Sequence, residues 1–474
     1  MNISGKVLCV GDIILDSYSE GEVDRISPEA PIPVLKINKE ENHFLGGCGN
    51  VARNICAAGG TCHLISIVGN DKESKILKNL SKNLKNLSFN FIVDNTRCTT
   101  KKKRFVSDNQ QILRVDSETT EPINFEIESK ILKIFEKMVN SFDVVVISDY
   151  NKGFITPNLA KNIINTSKKK KKKIIVDPKR NNFSLYKNAT IITPNFKELL
   201  LATNSVFDGN NKNGLVKRLS KKIIKDFEFD SVITTMSSDG MIVVQNSNKA
   251  FEFPSKAKEV FDVSGAGDTV VAYVAVEISR GEKLLKATEL ANEAAGIVVG
   301  KFGTATVSRE EMKIKTETNN KLCSLKEVFD EINHNQKGKK IGFTNGCFDL
   351  IHQGHIDYLK KARSHCDFLI LAINSDFSVS KIKGKGRPII NQAERSIILA
   401  NFSFIDRIII FNDETPIKII KKLKPNLIFK GDDYKKNEVV GNKEISKWGG
   451  DVILIKCLKG KSTSNIIKRI KYGS

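Results

Sequence analysis

From residue 6 to about residue 310 the chain alternates short β-branched runs with amphipathic stretches, and that rhythm admits few folds other than a parallel sheet covered by helices. Crossovers between parallel strands are right-handed, so the strands predicted at Lys6 to Val10, His63 to Val68, Asp143 to Ser148, Lys173 to Val176, Ala189 to Thr193 and Ser231 to Thr235 stack into one doubly wound sheet. Two stretches break the rhythm. Ser17 to Asn38, with its prolines at 28, 31 and 33, and Ser88 to Arg114 read as antiparallel strands outside that sheet, either a lid over a site or an edge hairpin.

After residue 312 the pattern stops and starts again. Lys313 to Leu322 is polar and aperiodic, as a linker is, and Ser324-Leu-Lys-Glu327 is a capping box that opens a helix. A second strand, loop and helix then begin at Lys340, with further strands at Phe368 to Ile373, Arg407 to Phe411, Leu427 to Phe429 and Val452 to Ile455. The expected class is α/β: one domain over 1–315, a linker and lead-in helix over 316–339, and a second domain over 340–474. A chain of 474 residues can bury a core in each.

Charge narrows the partners. A formal net charge of +22 usually points to nucleic acid or acidic lipid, but here the lysines are spread over both halves and not interleaved with aromatics. The densest run, Lys168 to Lys173, ends a helical stretch, where cations suit the dipole. Small anionic substrates are expected, with no nucleic acid and no membrane partner, since no segment approaches the roughly 18 apolar residues of a span. Nine cysteines without a C-x-x-C, and an N-terminus that runs straight into a strand, predict reduced thiols and a cytoplasmic location.

Two motifs carry chemistry. In Gly265-Ala266-Gly267-Asp268-Thr269 small residues let backbone N–H groups converge on an anion at a helix start, and Asp268 stands where a carboxylate could take a hydroxyl proton. A glycine turn with Asp268 as a helix cap would give the same letters. The second motif, His352-Gln-Gly354-His355, follows a strand and loop and opens a helix, so that paired imidazoles could face a phosphate; a zinc site is the competing reading, without clustered further ligands.

Several separated elements together resemble the ribokinase family of carbohydrate kinases: Gly11-Asp12-Ile-Ile-Leu-Asp16, Gly46-Gly47-Cys-Gly-Asn50, Asn195-Phe196-Lys197-Glu198, and Asp262 to Thr269. The resemblance implies a ribokinase-like sheet with a small β lid. It implies sugar contacts at Asp12, Asp16, Gly46, Gly47 and Asn50, an anion hole at Gly265, Ala266 and Gly267, and Asp268 as base. Asn195 to Glu198 would position hydrated Mg²⁺ and ATP, although Asn195 and Glu198 also spell a capping box. Arg25 to Val34, Asp149-Tyr150-Asn-Lys152-Gly153 and Asp177-Pro-Lys179 resemble the heptose 7-phosphate kinase branch, with Lys102, Lys103, Arg104, Lys152, Asp177 and Lys179 implied near the sugar phosphate.

The C-terminal run resembles the H-x-G-H nucleotidyltransferase superfamily, whose Rossmann-like fold is thereby implied. Asn345, Gly346, Phe348 and Asp349 match its loop, His352, Gly354 and His355 its signature, Arg395 and Lys430 its nucleotide contacts, and Ser462 and Thr463 its distal phosphate element. Asp432 stands where related enzymes favour a glycine, and Lys381 to Arg387 is a basic loop that reads as a sugar-phosphate clamp or a linker. Motif order resembles the family that joins heptose 7-phosphate kinase to heptose 1-phosphate adenylyltransferase. That family implies ATP as substrate in both reactions, Mg²⁺, sugar-phosphate partners, a homodimer, no protein-only metal site, and a separate phosphatase acting between the steps. A different sugar kinase fused to a cytidylyltransferase remains open, as does a tRNA-ligating protein, since H-x-G-H is similar to a class I synthetase motif.

Overall fold

The structure, a computed structural model, describes residues 5–38, 40–107, 110–257, 260–301, 303–312, 321–336, 338–384 and 386–456. It divides into two compact units, Met1–Met312 and Lys313–Ser474.

In the first unit a nine-stranded sheet runs, edge to edge, through Ala250–Phe253, Met241–Gln245, Ser231–Thr235, Ile191–Ile192, Lys173–Asp177, Val144–Ser148, Lys6–Gly11, Thr61–Val68 and Leu87–Val93. Only Met241–Gln245 runs against the rest, pairing antiparallel with Ser231–Thr235 on one side and Ala250–Phe253 on the other. Strand side chains alternate between two cores. Val7, Cys9, Val144 and Val146 pack beneath the helices Cys48–Ala57, Ala266–Ser279 and Leu284–Val298. Leu8, Val10, Val145 and Ile147 face Phe125–Met138, Pro157–Lys169 and Lys212–Phe227. Coverage on both faces is why these strands read as unbroken apolar runs. The lysine run falls at the end of Pro157–Lys169, through its cap, to the first residue of Lys173–Asp177.

The stretches that break the rhythm form a separate sheet, ordered Pro33–Ile37, Ile13–Ile26, Lys101–Ser107 and Gln110–Ser117, with Asn42–Gly47 also pairing Ile13–Ile26. Two expectations need correction. Leu87–Val93 is not part of this layer: it is a parallel edge strand of the main sheet, and it alternates because an edge is only partly covered. The layer itself is mixed, since Ile13–Ile26 runs parallel to Lys101–Ser107, in register Asp16 with Lys102 and Tyr18 with Arg104. The chain passes through two main-sheet strands between these segments and so re-enters the layer in the same direction. The strand expected over Ala189 to Thr193 shrinks to Ile191–Ile192, between left-handed Asn188 and Pro194.

The second unit is a five-stranded, wholly parallel sheet in the order Arg407–Phe411, Phe368–Asn374, Ile341–Gly346, Leu427–Gly431 and Asp451–Ile455. The capping box predicted at Ser324 and Glu327 is formed and opens Leu325–Asn335. Most of the expected linker, and Ser462 and Thr463, lie outside the described residues. Among the described residues no helix is long and apolar enough to cross a membrane, and eight cysteines carry free thiols.

Beside the strand Val144–Ser148, Asp149 is wholly buried and accepts from Asn151 N (2.7 Å), Arg180 Nε (2.8 Å) and Tyr186 Oη (2.6 Å). Removing one partner of a buried ion pair strands the other. Asp149→Ala is therefore expected to destabilise the first unit by about 3–5 kcal/mol, read as a lower urea midpoint by circular dichroism.

Candidate active sites

Parallel α/β sheets hold ligands at the carboxyl ends of their strands. In the first unit that edge carries Asp177, Thr193 and Thr235, which line a cleft of about 530 Å³ together with Lys179, Asn195, Glu198, Gly265, Ala266, Gly267 and Asp268. The helix Ala266–Ser279 points its first turn into the cleft. Its cap, Gly265, is left-handed at φ 79°, and a Cβ there would come within 2.8 Å of Asn50 Nδ2. Glycine is what allows the N–H groups to reach the cleft wall.

Asp268 sits in that first turn, 5 % exposed, accepting from Asn50 Nδ2 at 2.7 Å and from Tyr150 Oη at 2.6 Å. Burial pushes its pKa up to about 6, helped by repulsion from Asp177 and opposed by the bonds from Tyr150 and Asn50 and by Lys179. A carboxyl so placed is a base matched to neutral pH. Glu198 is likewise raised, by burial first, despite Lys179 beside it. Burial opposes the charge on Lys179, but Asp177 at 3.2 Å and Glu198 at 3.5 Å outweigh it and raise its pKa. The Asn195–Glu198 capping box is complete, with both bonds at 2.8 Å, so the cap holds these side chains at the cleft wall. Of the two residues between them, Phe196 packs edge-on against Phe207 at 5.4 Å and Lys197 is exposed.

On the other side of Asp268, the expected acceptor residues fall into different roles. Asp16 pairs with Arg104 Nη1 at 2.6 Å, and Gly46 must lack a side chain because a Cβ would meet Asp16 Oδ2 at 2.1 Å. Gly47, at φ 57°, caps the helix carrying Asn50. Asp12, expected at the sugar, is 2 % exposed and accepts from the backbone N–H of Tyr150 (2.8 Å), Lys152 (3.3 Å) and Phe154 (3.3 Å). Lys152 itself is held by Glu118 at 2.7 Å. Tyr150 is the group that sequence reasoning left off its list of site residues. Its position two residues beyond the strand Val144–Ser148, in the same carboxyl-end loop as Asp149, was the available signal.

In the second unit His352 caps the helix Gln353–Ser364 and His355 stands in its first turn, their rings stacked 3.8 Å apart at 28°. His352 N–H donates to His355 Nδ1 at 3.4 Å, which leaves the proton of neutral His355 on Nε2. Burial lowers the His355 pKa to about 4, with repulsion from His352 and Lys383 adding to it. Phe348, left-handed at φ 47°, packs 5.1 Å from the His355 ring, and a Cβ on Gly346 would meet the Phe348 ring at 2.9 Å. Lys430 donates to Asn345 O at 3.1 Å and has its pKa lowered by burial, against the attraction of Asp433.

Two expected nucleotide contacts have partners within the fold. Asp349, 1 % exposed, holds the basic loop by accepting from Arg387 and from Ile389 N at 2.7 Å. Arg395, wholly buried, donates to Cys347 O, to Ile390 O at 3.0 Å and to Asp376 Oδ1 at 2.8 Å. Both brace the loops around the histidines, and their charge is spent inside the fold. Gly354 lies between the two histidines, inside the first turn of the helix. Asp432 is exposed.

Because the Tyr150 bond favours the ionised form of Asp268, Tyr150→Phe is expected to move the acidic limb of phosphoryl transfer from about pH 6 to higher pH, by about one unit. A pH–rate profile of the first-unit reaction checks the shift; a limb at unchanged pH refutes it.

Comparison with known proteins adds to this geometry. Residues 4–311 match the pfkB family of carbohydrate kinases, and residues 343–469 match a cytidylyltransferase-like family. Over 473 residues the chain is 40 % identical to the bifunctional protein HldE of Paramagnetospirillum magneticum, covering 98 % of this chain and 96 % of that one. It is 41 % identical to that of Aliarcobacter butzleri, covering 98 % and 97 %, and 39 % identical to that of Helicobacter pylori strain HPAG1, covering 98 % of each. Among solved structures, phosphofructokinase-2 of Escherichia coli with potassium aligns at TM-score 0.54 and 17 % identity, over 66 % of this chain and 97 % of its own. Ribokinase of Giardia lamblia aligns at 0.54 and 17 %, over 65 % and 99 %. These two show the fold of the first unit.

Proposed function

The chain belongs to the pfkB family of carbohydrate kinases through residues 4–311 and, along nearly its whole length, to the bifunctional HldE proteins, and on that premise we propose that it makes ADP-activated heptose in two steps. The first unit phosphorylates D-glycero-β-D-manno-heptose 7-phosphate at O1 to the 1,7-bisphosphate. The second transfers AMP from ATP to heptose 1-phosphate and releases pyrophosphate. A separate phosphatase removes the O7 phosphate in between. The single observation that carries the kinase reading is Asp268, buried yet bonded by Tyr150 and Asn50 beside the N–H groups of a helix start.

In the first step Asp268 takes the O1 proton as O1 bonds to the γ-phosphorus of ATP and the bond to the β-phosphate oxygen breaks. The N–H groups of Gly265, Ala266 and Gly267 steady the charge on the transferring group. Carboxylates Asp177 and Glu198 on the cleft wall are hard oxygen donors that suit a hydrated divalent ion, and Mg²⁺ held there with ATP would neutralise phosphate charge. In the second step a phosphate oxygen of the sugar attacks the α-phosphorus and pyrophosphate leaves. His355, neutral at pH 7, can donate from Nε2, and Lys430 supplies positive charge. Ser462 and Thr463 are assigned to the distal phosphates by family resemblance.

The cytidylyltransferase-like match favours one alternative, transfer of CMP; CTP outcompeting ATP in the second reaction would establish it. The subunit is assigned to a cytoplasmic homodimer through the lid sheet, where Ile26, Ile37 and Leu113 are 61, 52 and 55 % exposed. The kinase domain is assigned to 1–315, and a chain ending at Lys315 is expected to phosphorylate on its own, checked by phosphorylation assay of the purified fragment.

Phosphorus NMR of the full chain with heptose 7-phosphate and Mg-ATP should show the 1,7-bisphosphate. Asp268→Asn is expected to lower that step by about 10²–10⁴-fold while sparing adenylyl transfer. His355→Ala is expected to do the reverse. Loss of both activities from either folded variant would overturn the assignment of the two sites.

A further inference from the structure

The first unit holds a second cavity, of about 500 Å³, that shares no lining residue with the cleft around Asp268. None of the residues expected at the acceptor or at ATP lines it. It is bounded by the lid strands at Tyr18 and Phe44, by the helix Cys48–Ala57 and by the loop around Thr304. Much of its wall is apolar, from Phe44, Ala57, Leu84 and Ala305. Two polar groups in that wall are unsatisfied. Thr304 is 8 % exposed, and among the described residues its buried Oγ1 has no hydrogen-bond partner, nor has the buried Nε of Arg53.

Among the described residues no carboxylate lies within ion-pair distance of Arg53, and its guanidinium carbon stands 5.9 Å from the centre of the Phe44 ring. Burial lowers its pKa, against the attraction of Asp16, Asp268 and Tyr18. A buried N–H and a buried hydroxyl left unbonded are costly, and a ligand that bonds both recovers that cost. The Nε edge of a guanidinium is a fork that matches the two oxygens of a carboxylate. One buried guanidinium offsets one charge, since the other cation lining the cavity, Lys85, is exposed and screened. The apolar wall then suits an apolar body behind the anionic end. Arg53 lies one turn beyond Asn50, which holds Asp268. The next residue, Asn54, bonds both Asn50 Oδ1 at 3.2 Å and Thr269 Oγ1 at 3.1 Å. Beside Thr304, the Gly303 N–H donates to Asp262, at the start of the glycine motif, at 3.1 Å. An anion joining Arg53 to Thr304 thus touches both supports of the base, and it offsets a positive charge that now attracts Asp268.

We propose that this cavity is an effector site for a small monocarboxylate with an apolar body, whose binding slows the first reaction without competing with either substrate. The effect on rate rests on the kinase reaction proposed above; the binding does not. Phenylacetate is the probe, titrated into the full chain by calorimetry, with 2-phenylethanol as its uncharged analogue and inorganic phosphate as a charge without a body. Phenylacetate is expected to bind saturably. Arg53→Met should weaken it by about 10-fold or more while leaving 2-phenylethanol unmoved, and Ala57→Leu, which narrows the cavity, should weaken both. With heptose 7-phosphate and Mg-ATP saturating, phenylacetate should lower kcat by about 5-fold or more, and Arg53→Met should not respond. No saturable binding, or binding that neither variant weakens, overturns the site. Displacement of phenylacetate by inorganic phosphate overturns the carboxylate class. Binding without inhibition, or inhibition relieved by more heptose 7-phosphate, overturns the effector role. A wild type inactive on heptose 7-phosphate overturns the kinase reading, and calorimetry then still decides the site.

Discussion

A buried carboxylate at the end of a central strand sets the geometry of the first site. Asp12, at the end of a central strand, accepts three backbone N–H groups from Tyr150 to Phe154 and so fixes the loop that carries Tyr150. Tyr150 in turn holds Asp268 from one side while Asn50 holds it from the other. Burial raises the Asp12 pKa to about 6, with Asp149 adding to it and the three N–H bonds opposing it. The loop and the base are therefore both anchored by carboxyls whose ionisation is balanced between burial and hydrogen bonds. A change in either is felt in the other through a single phenol.

The two units solve the same problem with opposite materials. The first gathers Asp177, Glu198 and Asp268 around one lysine, a set that suits a cation travelling with ATP and a base for a hydroxyl. The second stacks His352 and His355 on one helix turn, and burial, with repulsion from His352 and Lys383, lowers the His355 pKa to about 4 and so favours the neutral ring. In both, the groups proposed to face phosphate sit at a helix start beyond the carboxyl edge of parallel strands.

Much of this was legible in the letters. Unbroken β-branched runs at Lys6, Val144 and Lys173 announced strands covered on both faces, and the Ser324–Glu327 box marked the first helix of the second unit. The Gly265 to Asp268 and His352 to His355 motifs are local, so their helix-start geometry follows from neighbours in sequence. Asp12, Asp349 and Arg395 show the opposite case, since their partners could not be read from neighbours in sequence. A motif match ranks a charged residue as a ligand contact, whereas whether its charge is free depends on partners far along the chain, such as Arg387 for Asp349 and Asp376 for Arg395. The lid misled similarly, since alternation of apolar and polar residues marks any half-covered strand, including the edge strand Leu87–Val93.

What the sequence determined by itself is the kind of chemistry: two α/β units, a glycine-cradled aspartate, a pair of histidines on one helix turn, each encoded within a few consecutive residues. What tertiary structure alone decided is which charges remain available. Asn50 and Asp268 are 218 residues apart and meet in one hydrogen bond, and Asp16 takes Arg104 across the lid while Lys102, its register partner, is left facing Tyr150. Ion pairing is a contest among all neighbours in space, and no local pattern names the winner.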